Sequence, residues 1–291
     1  MMKKTKLYMD TVVEIEVISR KRVEKIEDKI ERAFTTFKKV EQACSRFTTS
    51  SELMQACQKV GTPVEISPFL YEPLFFALEI AKLTDGLFDP TIGMVMEEEG
   101  FNRHYLTGER MQSIADEFVN YKDIHLNPET RTLTITRPMV IDLGAVAKGF
   151  AIDLAVNELK EFEGFIVNAG GDLFAGGTDA KLNKWKIGIQ HPYQKDQIIE
   201  MIQICNEAIC TSGSYERVNP LNKNRHHIMN PKTKISPNEC LSCSIIAPFA
   251  MMADAFSTVS FFPEGQLVME ELELKGLFIT PELQIKRIGE I

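Results

Sequence analysis

Asp254 and Thr258 stand four residues apart, a separation that places a carboxylate and a hydroxyl on one face of a helix. Hard oxygen donors of this kind, completed by a phosphate, are what Mg²⁺ prefers. The competing reading makes Asp254 a helix N-cap and Thr258 a packed helix residue. Two glycine turns carry a second kind of chemistry: Asp142-Leu-Gly144-Ala-Val-Ala147-Lys148-Gly149 and Asn168-Ala-Gly170-Gly171-Asp172. Glycine lets a backbone approach a ligand, and a helix N-terminus offers unpaired N–H groups to an anion. A phosphorylated ligand near Gly144 and Gly170 is the sharper reading; ordinary strand-to-helix turns are the plainer one. Thr211-Ser212-Gly213-Ser214-Tyr215 reads as a further small-residue turn. His227, in the loop-rich run His226–Pro231, is a candidate general base, because an unperturbed imidazole titrates near neutrality. A loop histidine is also a common surface residue.

Familiar nucleotide signatures do not account for these turns. A Walker loop needs Gly-x-x-x-x-Gly-Lys-Ser/Thr, and here Lys148 precedes Gly149. Neither turn supplies the Gly-x-Gly-x-x-Gly of a Rossmann fingerprint. Cys240-x-x-Cys243 lacks a second pair at metal spacing and lies in a strand-like run, so it reads as buried, reduced thiols. A net charge of −8 argues against a general nucleic-acid binder. No apolar run reaches membrane-spanning length, so no membrane insertion is expected. The first ten residues are basic without an apolar stretch behind them, unlike a secretion signal, and a cytoplasmic protein is expected.

The supporting elements follow from periodicity. Thr11–Ile18 alternates as a half-exposed strand, and Val23–Cys44 is a long amphipathic helix. Ser50 and Ser51 are caps for a short helix from Glu52. Pro68 opens a helix to Leu83, with Leu74, Ala77, Leu78 and Ala81 inward, and Thr84-Asp85-Gly86 stops it. Phe88–Gly93 is turn-rich, Glu97–Glu99 a solvated face, and 102–122 a mixture of loop and helix. Thr130–Thr136 and the buried run Met139–Ile141 read as strands leading into the Gly144 turn. A helix then buries Val146, Phe150, Leu154 and Leu159, and Phe165–Val167 is the next strand. Further strands fall at Lys186–Gln190, Ile198–Cys205, Ala208–Cys210 and Leu241–Ala247. A helix over Met251–Phe261 and two short strands finish the chain. Residues 1–291 form one α+β domain on this reading.

In their order, the five stretches resemble the ApbE-type flavin transferases (FAD:protein FMN transferases). The matching elements are Asp142–Gly149, Asn168–Asp172, Thr211–Arg217, His227–Pro231 and Ala253–Thr258. Weaker matches are Met9-Asp-Thr11, Ser45-Arg-Phe47 with Ser51-Glu-Leu53, and Phe88-Asp-Pro-Thr91. The resemblance implies a T-fold-like mixed α/β architecture, with FAD in a cleft between strand-end turns. It implies that FAD is split with Mg²⁺ and that FMN passes through a phosphodiester to a Thr or Ser of a target flavoprotein, releasing AMP. The implied metal ligands are the Ala147 carbonyl, the Asp254 carboxylate and the Thr258 hydroxyl. Implied FAD contacts are Phe47 to the flavin, and Asp142, Gly144, Lys148, Asn168, Gly170, Gly171, Asp172, Thr211, Ser212, Gly213 and His227 around the rest. Catalytic roles fall to His227, Asp254 and Lys148.

This chain departs from the family pattern at four places. Ala145 stands where a second Gly is usual, Asn230 for Asp, Lys234 for Gly, and Asp10 for the Gly of Met-Gly-Thr. The alternatives to a transferase are an FAD pyrophosphatase releasing FMN and AMP, and a non-catalytic FAD-binding protein.

Overall fold

Val13, Ile15 and Val17 are buried on one side of the strand that their alternation predicts, with Glu14 and Glu16 between them. A computed structural model describes residues 1–103, 108–219, 222 and 225–291. Its elements begin with β1 (Met2–Tyr8), β2 (Thr11–Ile18), α1 (Val23–Cys44), α2 (Glu52–Cys57), β3 (Val64–Glu65) and α3 (Pro68–Leu83). Next come α4 (Gly93–Glu98), β4 (Ile124–Asn127), β5 (Thr132–Ile135), α5 (Ala147–Leu159), β6 (Gly164–Ala169) and β7 (Asp172–Gly177). The chain continues with β8 (Trp185–Gln190), β9 (Ile198–Ile204), β10 (Glu207–Gly213), β11 (Ser242–Ala247) and α6 (Ala250–Val259). It ends with α7 (Pro263–Glu271), β12 (Lys275–Ile279) and β13 (Ile285–Ile288). The architecture is α+β, its sheets antiparallel throughout the described residues.

The described chain forms two compact units. The first comprises residues 1–38, 148–216 and 238–291, the second 39–147 and 217–237. In the first, eight strands make one sheet in the order β1-β2-β6-β7-β10-β11-β12-β13. All six residues of β11 are buried, so both faces of the sheet are covered there. Helix α6 packs on β10 and β11. On the other face, Trp185, Ile189, Ile202 and Ile204 of the β8–β9 hairpin join Leu173, Ile209, Ile246 and Leu277 in one apolar cluster. Two-residue turns join the paired strands: Met9-Asp10 between β1 and β2, and Gly170-Gly171 between β6 and β7. All four turn residues have positive φ, the geometry of tight hairpins, and Asp10 sits where glycine is easiest.

The second unit contains α2, α3, α4 and the small sheet β3-β5-β4 around Leu53, Leu70, Leu74, Leu133 and Ile135. Ser51 caps α2 through its hydroxyl, which accepts the Met54 N–H at 3.1 Å. Pro68 is the first residue of α3, and Leu74, Ala77, Leu78 and Ala81 are buried as expected.

Several expectations change. Met139–Ile141 is buried but forms no strand; its neighbours bond singly, Pro138 O to the Asp116 N–H of a loop and Asp142 N–H to Pro90 O at a 3-10 turn. An apolar run is thus compatible with buried loop as well as strand. Thr211, Ser212 and Gly213 are the end of β10, not a turn, which falls at 214–216. Glu97 is buried beside Arg46 and accepts from Ser113, so it is not part of a solvated face. Leu154 is only half-buried on α5, where Ala151, Ile152 and Ala155 take the inward positions. Helix α7 and strands β1, β3 and β4 lacked a clear pattern. In β1 this is because lysines at 3, 4 and 6 occupy an edge strand and pair with Glu14, Glu27 and Glu31. Of the region 102–122, residues 104–107 lie outside the described residues; the remainder is mostly irregular, with a single 3-10 turn at Tyr121–Asp123.

Candidate active site

In the first unit the chemistry gathers around Lys148, the second residue of α5. Its ammonium pairs with the carboxylates of Asp172, at the start of β7, and Asp254, on α6, the latter at 3.1 Å. Both carboxylates are buried, at 4% and 2% exposure. Desolvation lowers the Lys148 pKa, but the two carboxylates outweigh it and raise the pKa above the usual lysine value. Burial raises the Asp254 carboxyl to about 6, with Lys148 pulling the other way. Asp172 also accepts the Thr211 N–H at 2.9 Å. Lys148 is therefore committed to two acids.

Asp254 is not the N-cap of its own helix. Helix α6 begins at Ala250 after Phe249, and Asp254 lies in its second turn. Its Oδ2 instead accepts the N–H of Gly149, in the first turn of α5, at 3.0 Å. Asp153 of α5 answers in kind, accepting N–H groups from Ala250 at 2.6 Å and Met251 at 2.9 Å. Each helix thus supplies a carboxylate to the free N–H groups of the other. Gly149 makes this approach possible, since a Cβ there would lie 2.4 Å from Ala250 O.

Thr258 lies one turn beyond Asp254, its hydroxyl 3.4 Å from Ser212 Oγ, which also meets Ser257 Oγ at 2.8 Å. Thr211 Oγ1 bonds Ser244 Oγ at 2.7 Å. In the glycine turn, Asn168 Oδ1 accepts the Gly171 N–H at 2.9 Å. The structure therefore brings together Lys148, Asp172, Thr211, Ser212, Asp254 and Thr258, with the Asn168–Gly171 turn at the end of the same sheet. The Tyr215 ring packs close to Gly213 and would stand 2.8 Å from a Cβ there.

A second cluster lies in the other unit. Arg46 is 5% exposed and donates from Nε to Asp142 at 2.5 Å and from Nη2 to Phe101 O at 2.7 Å. Its guanidinium lies 4.1 Å from the centre of the Phe47 ring, which is half-buried. Asp142 Oδ1 accepts the Gly144 N–H at 2.7 Å. Burial pushes the Asp142 carboxyl up, but Arg46, that N–H and Arg217 outweigh it and hold its pKa below the usual range. Ala147, whose N–H bonds Leu143 O, belongs to this unit.

The two adjacent histidines differ. His226 is buried; Nε2–H donates to Pro237 O at 2.7 Å and Nδ1 accepts the Ile228 N–H at 3.3 Å. His227 is half-buried, and its Nδ1 faces Arg217 O at 3.4 Å, which leaves Nε2 as its basic nitrogen. Burial, then the charge of Arg217, lowers the His227 pKa to about 3, well below the near-neutral value expected from sequence. Asn230 Oδ1 accepts N–H groups from Lys232 and Thr233, a turn that asparagine serves as well as aspartate. Lys234 has φ of 58°, which explains why glycine suits that position.

Sequence reasoning assigned no role to Arg46, Arg217 or Asp153. Arg46 and Arg217 stand inside quoted motifs, whereas Asp153 carries no local signal, its partners lying 97 and 98 residues away. Asp89, in the Phe88–Thr91 stretch, works as a local cap, accepting from Thr91 and Tyr121.

The sequence profile of the ApbE family matches residues 9–277, which run through both units. The FAD:protein FMN transferase of Treponema pallidum is 28% identical, across 97% of this chain and 85% of its own. That of Haemophilus influenzae is 29% identical, across 76% of this chain and 67% of its own. The crystal structure of the ApbE protein from Thermotoga maritima matches with a TM-score of 0.87 and 28% identity, covering 99% of this chain and 97% of that one. Flavin transferase ApbE from Vibrio cholerae shares the fold, with a TM-score of 0.82 at 22% identity over 99% of this chain and 96% of that one. From its sequence and its architecture alike, the chain belongs to the ApbE family.

Proposed function

We propose that residues 1–291 work as one FAD:protein FMN transferase, dependent on Mg²⁺ and attaching FMN through a phosphodiester to a Thr or Ser of a target flavoprotein. The observation that carries this reading is the family match over 9–277, which contains the buried Asp172–Lys148–Asp254 cluster and His227. The FAD contacts on this reading are the Gly170-Gly171 turn of the first unit and, in the second, the Gly144 turn and Phe47 for the flavin. Asp142 and Asn168 shape those turns through their bonds to Gly144 and Gly171.

The donor set suits a hard cation. Asp254, Thr258 and the Ala147 carbonyl offer only oxygen, and Asp254 is buried with its charge balanced by the Lys148 ammonium. Among the described residues no three His, Cys, Asp or Glu side chains form a metal cluster, and a cation held here would rely on the Ala147 carbonyl and the Thr258 hydroxyl together with Asp254. When bound there, Mg²⁺ would neutralise charge on the pyrophosphate. Lys148 keeps Asp172 and Asp254 from repelling each other before substrate arrives. His227 takes the proton of the acceptor hydroxyl at Nε2 while that oxygen forms a bond to the FMN phosphorus. The P–O bond to AMP breaks, and its electron pair leaves with AMP. An anionic pyrophosphate bound near His227 would raise its pKa from the depressed value of the free protein.

Incubation with FAD, MgCl₂ and a lysate from a host lacking its own flavin transferase tests the proposal. AMP together with a fluorescent protein band in a denaturing gel is expected. AMP with free FMN alone indicates the pyrophosphatase, and neither product indicates a non-catalytic binder.

A further inference from the structure

Asp153 stands directly behind the Asp172–Lys148–Asp254 cluster, bonded to the helix that carries Asp254. It lies on α5, four residues after Gly149, and takes the first two N–H groups of α6 in a two-pronged bond of 2.6 and 2.9 Å. Those two donors belong to Ala250 and Met251, one turn before Asp254 and two before Thr258. Ser257 ties the same helix internally by donating to Asp254 O at 2.8 Å. In the opposite direction Asp254 holds Gly149. The backbones touch where the two helices start, with no room for a side chain at Gly149. A shift of α6 along or about its axis would therefore break three charge-assisted bonds at once.

We infer that Asp153 is a positioning residue that fixes, through the N-terminus of α6, where Asp254 and Thr258 present their oxygens to a divalent cation. This rests on the transferase reading above, in which those two residues hold Mg²⁺. Both of its carboxylate oxygens are taken by backbone N–H groups, so Asp153 is assigned no part in the chemical step. Its effect falls on the affinity of the metal site, as partners behind metal ligands generally do. A purely structural role makes a different claim: loss of the cap then lowers the melting temperature and the folded fraction, while each folded molecule binds metal as before.

The experiment compares full-length wild type with Asp153→Ala, Asp153→Asn and Glu158→Gln. Glu158 is the control, on the same helix but paired with Lys29. Mn²⁺ binding is followed by electron paramagnetic resonance of the free ion, and AMP release is measured against Mg²⁺ at saturating FAD. Asp153→Ala should weaken Mn²⁺ binding and raise half-activating Mg²⁺ by about 10–100-fold, with KM for FAD at saturating Mg²⁺ unchanged. Asp153→Asn should fall between, since its one carbonyl oxygen replaces one of two prongs. Glu158→Gln should match wild type. Wild-type Mn²⁺ affinity in the folded fraction of Asp153→Ala overturns the inference. If that variant does not fold, wild-type affinity in Asp153→Asn overturns it equally. A wild type that neither binds Mn²⁺ nor releases AMP overturns the transferase reading, and this inference with it.

Discussion

The Thr11 hydroxyl fills the space that a side chain at Gly170 would need: a Cβ there would lie 2.3 Å from Thr11 Oγ1. The Gly170 N–H also donates to Val12 O at 3.1 Å. The Met9-Asp10-Thr11 turn and the Asn168–Asp172 turn, distant in sequence, are thus two adjoining hairpin ends of one sheet. Gly170→Ala meets both this clash and a φ of +67°. It should cost about 2–3 kcal/mol in chemical denaturation. Thr11→Ala in the same chain should recover about half, because the steric part is relieved and the backbone part is not. Full additivity of the two changes would contradict the contact.

Asp254→Asn separates charge from geometry. The carboxamide oxygen still accepts the Gly149 N–H, and Lys148 keeps Asp172. The metal-free melting temperature should stay within a few degrees of wild type. A neutral oxygen is a far poorer ligand for a hard cation. AMP release at limiting Mg²⁺ should therefore fall by more than the roughly 10–100-fold typical of residues behind the ligands. Thr258→Val should fall less, since it removes a neutral donor. Wild-type activity of Asp254→Asn at limiting Mg²⁺ would remove Asp254 from the metal site.

These residues differ in how far they were legible. Asp254 and Thr258 share a helix face, and Gly170 and Gly171 share a turn, so their pairing is written in local spacing. The partners of Asp153 lie 97 and 98 residues away, and those of Arg46 lie 55 and 96 away. No periodicity encodes such contacts. The strand Thr11–Ile18 was plain because one face is fully buried, whereas β1 hides its alternation behind lysines at the sheet edge. Thr211–Gly213 looked like a turn because small polar residues favour turns. In the sheet those residues are small because they approach one another and α6: Thr211 meets Ser244, and Ser212 meets Ser257 and Thr258.

Asp153 should also leave a mark on the pH dependence of stability. Burial raises its pKa to about 6 from 3.8, with the Met251 and Ala250 N–H groups opposing that rise. Between those values the folded state binds more protons than the unfolded state. The contribution of Asp153 is therefore most favourable below pH 4 and declines as pH rises through about 6. Other carboxylates act oppositely, so the test is the difference between wild type and Asp153→Asn in metal-free denaturation at several pH values. Wild type minus variant should fall from pH 4 to about 6 and then level off. A flat difference would place the Asp153 pKa at its ordinary value.

His226 and His227 make opposite demands on one substitution. His226 is buried with both ring nitrogens engaged, so His226→Asn should lower stability by roughly 1–3 kcal/mol. It should leave turnover per folded molecule nearly intact. His227 faces Arg217 O through a long contact and carries the basic nitrogen assigned to the acceptor hydroxyl. His227→Asn should leave the melt close to wild type and slow FMN transfer on the order of a hundredfold or more. Its depressed pKa adds a second signature. With a free-enzyme value of about 3, neutral His227 predominates at every ordinary assay pH, so its ionisation contributes no acid limb to kcat/KM between pH 5 and 8. On the proposed reading, FAD bound near His227 would bring negative charge and raise that pKa, so any His227 limb belongs at higher pH in kcat than in kcat/KM. Turnover of both variants at the wild-type rate would dismiss His227 as the base. A kcat/KM limb near pH 6.5 that disappears in His227→Asn would instead keep the base and refute its depressed pKa.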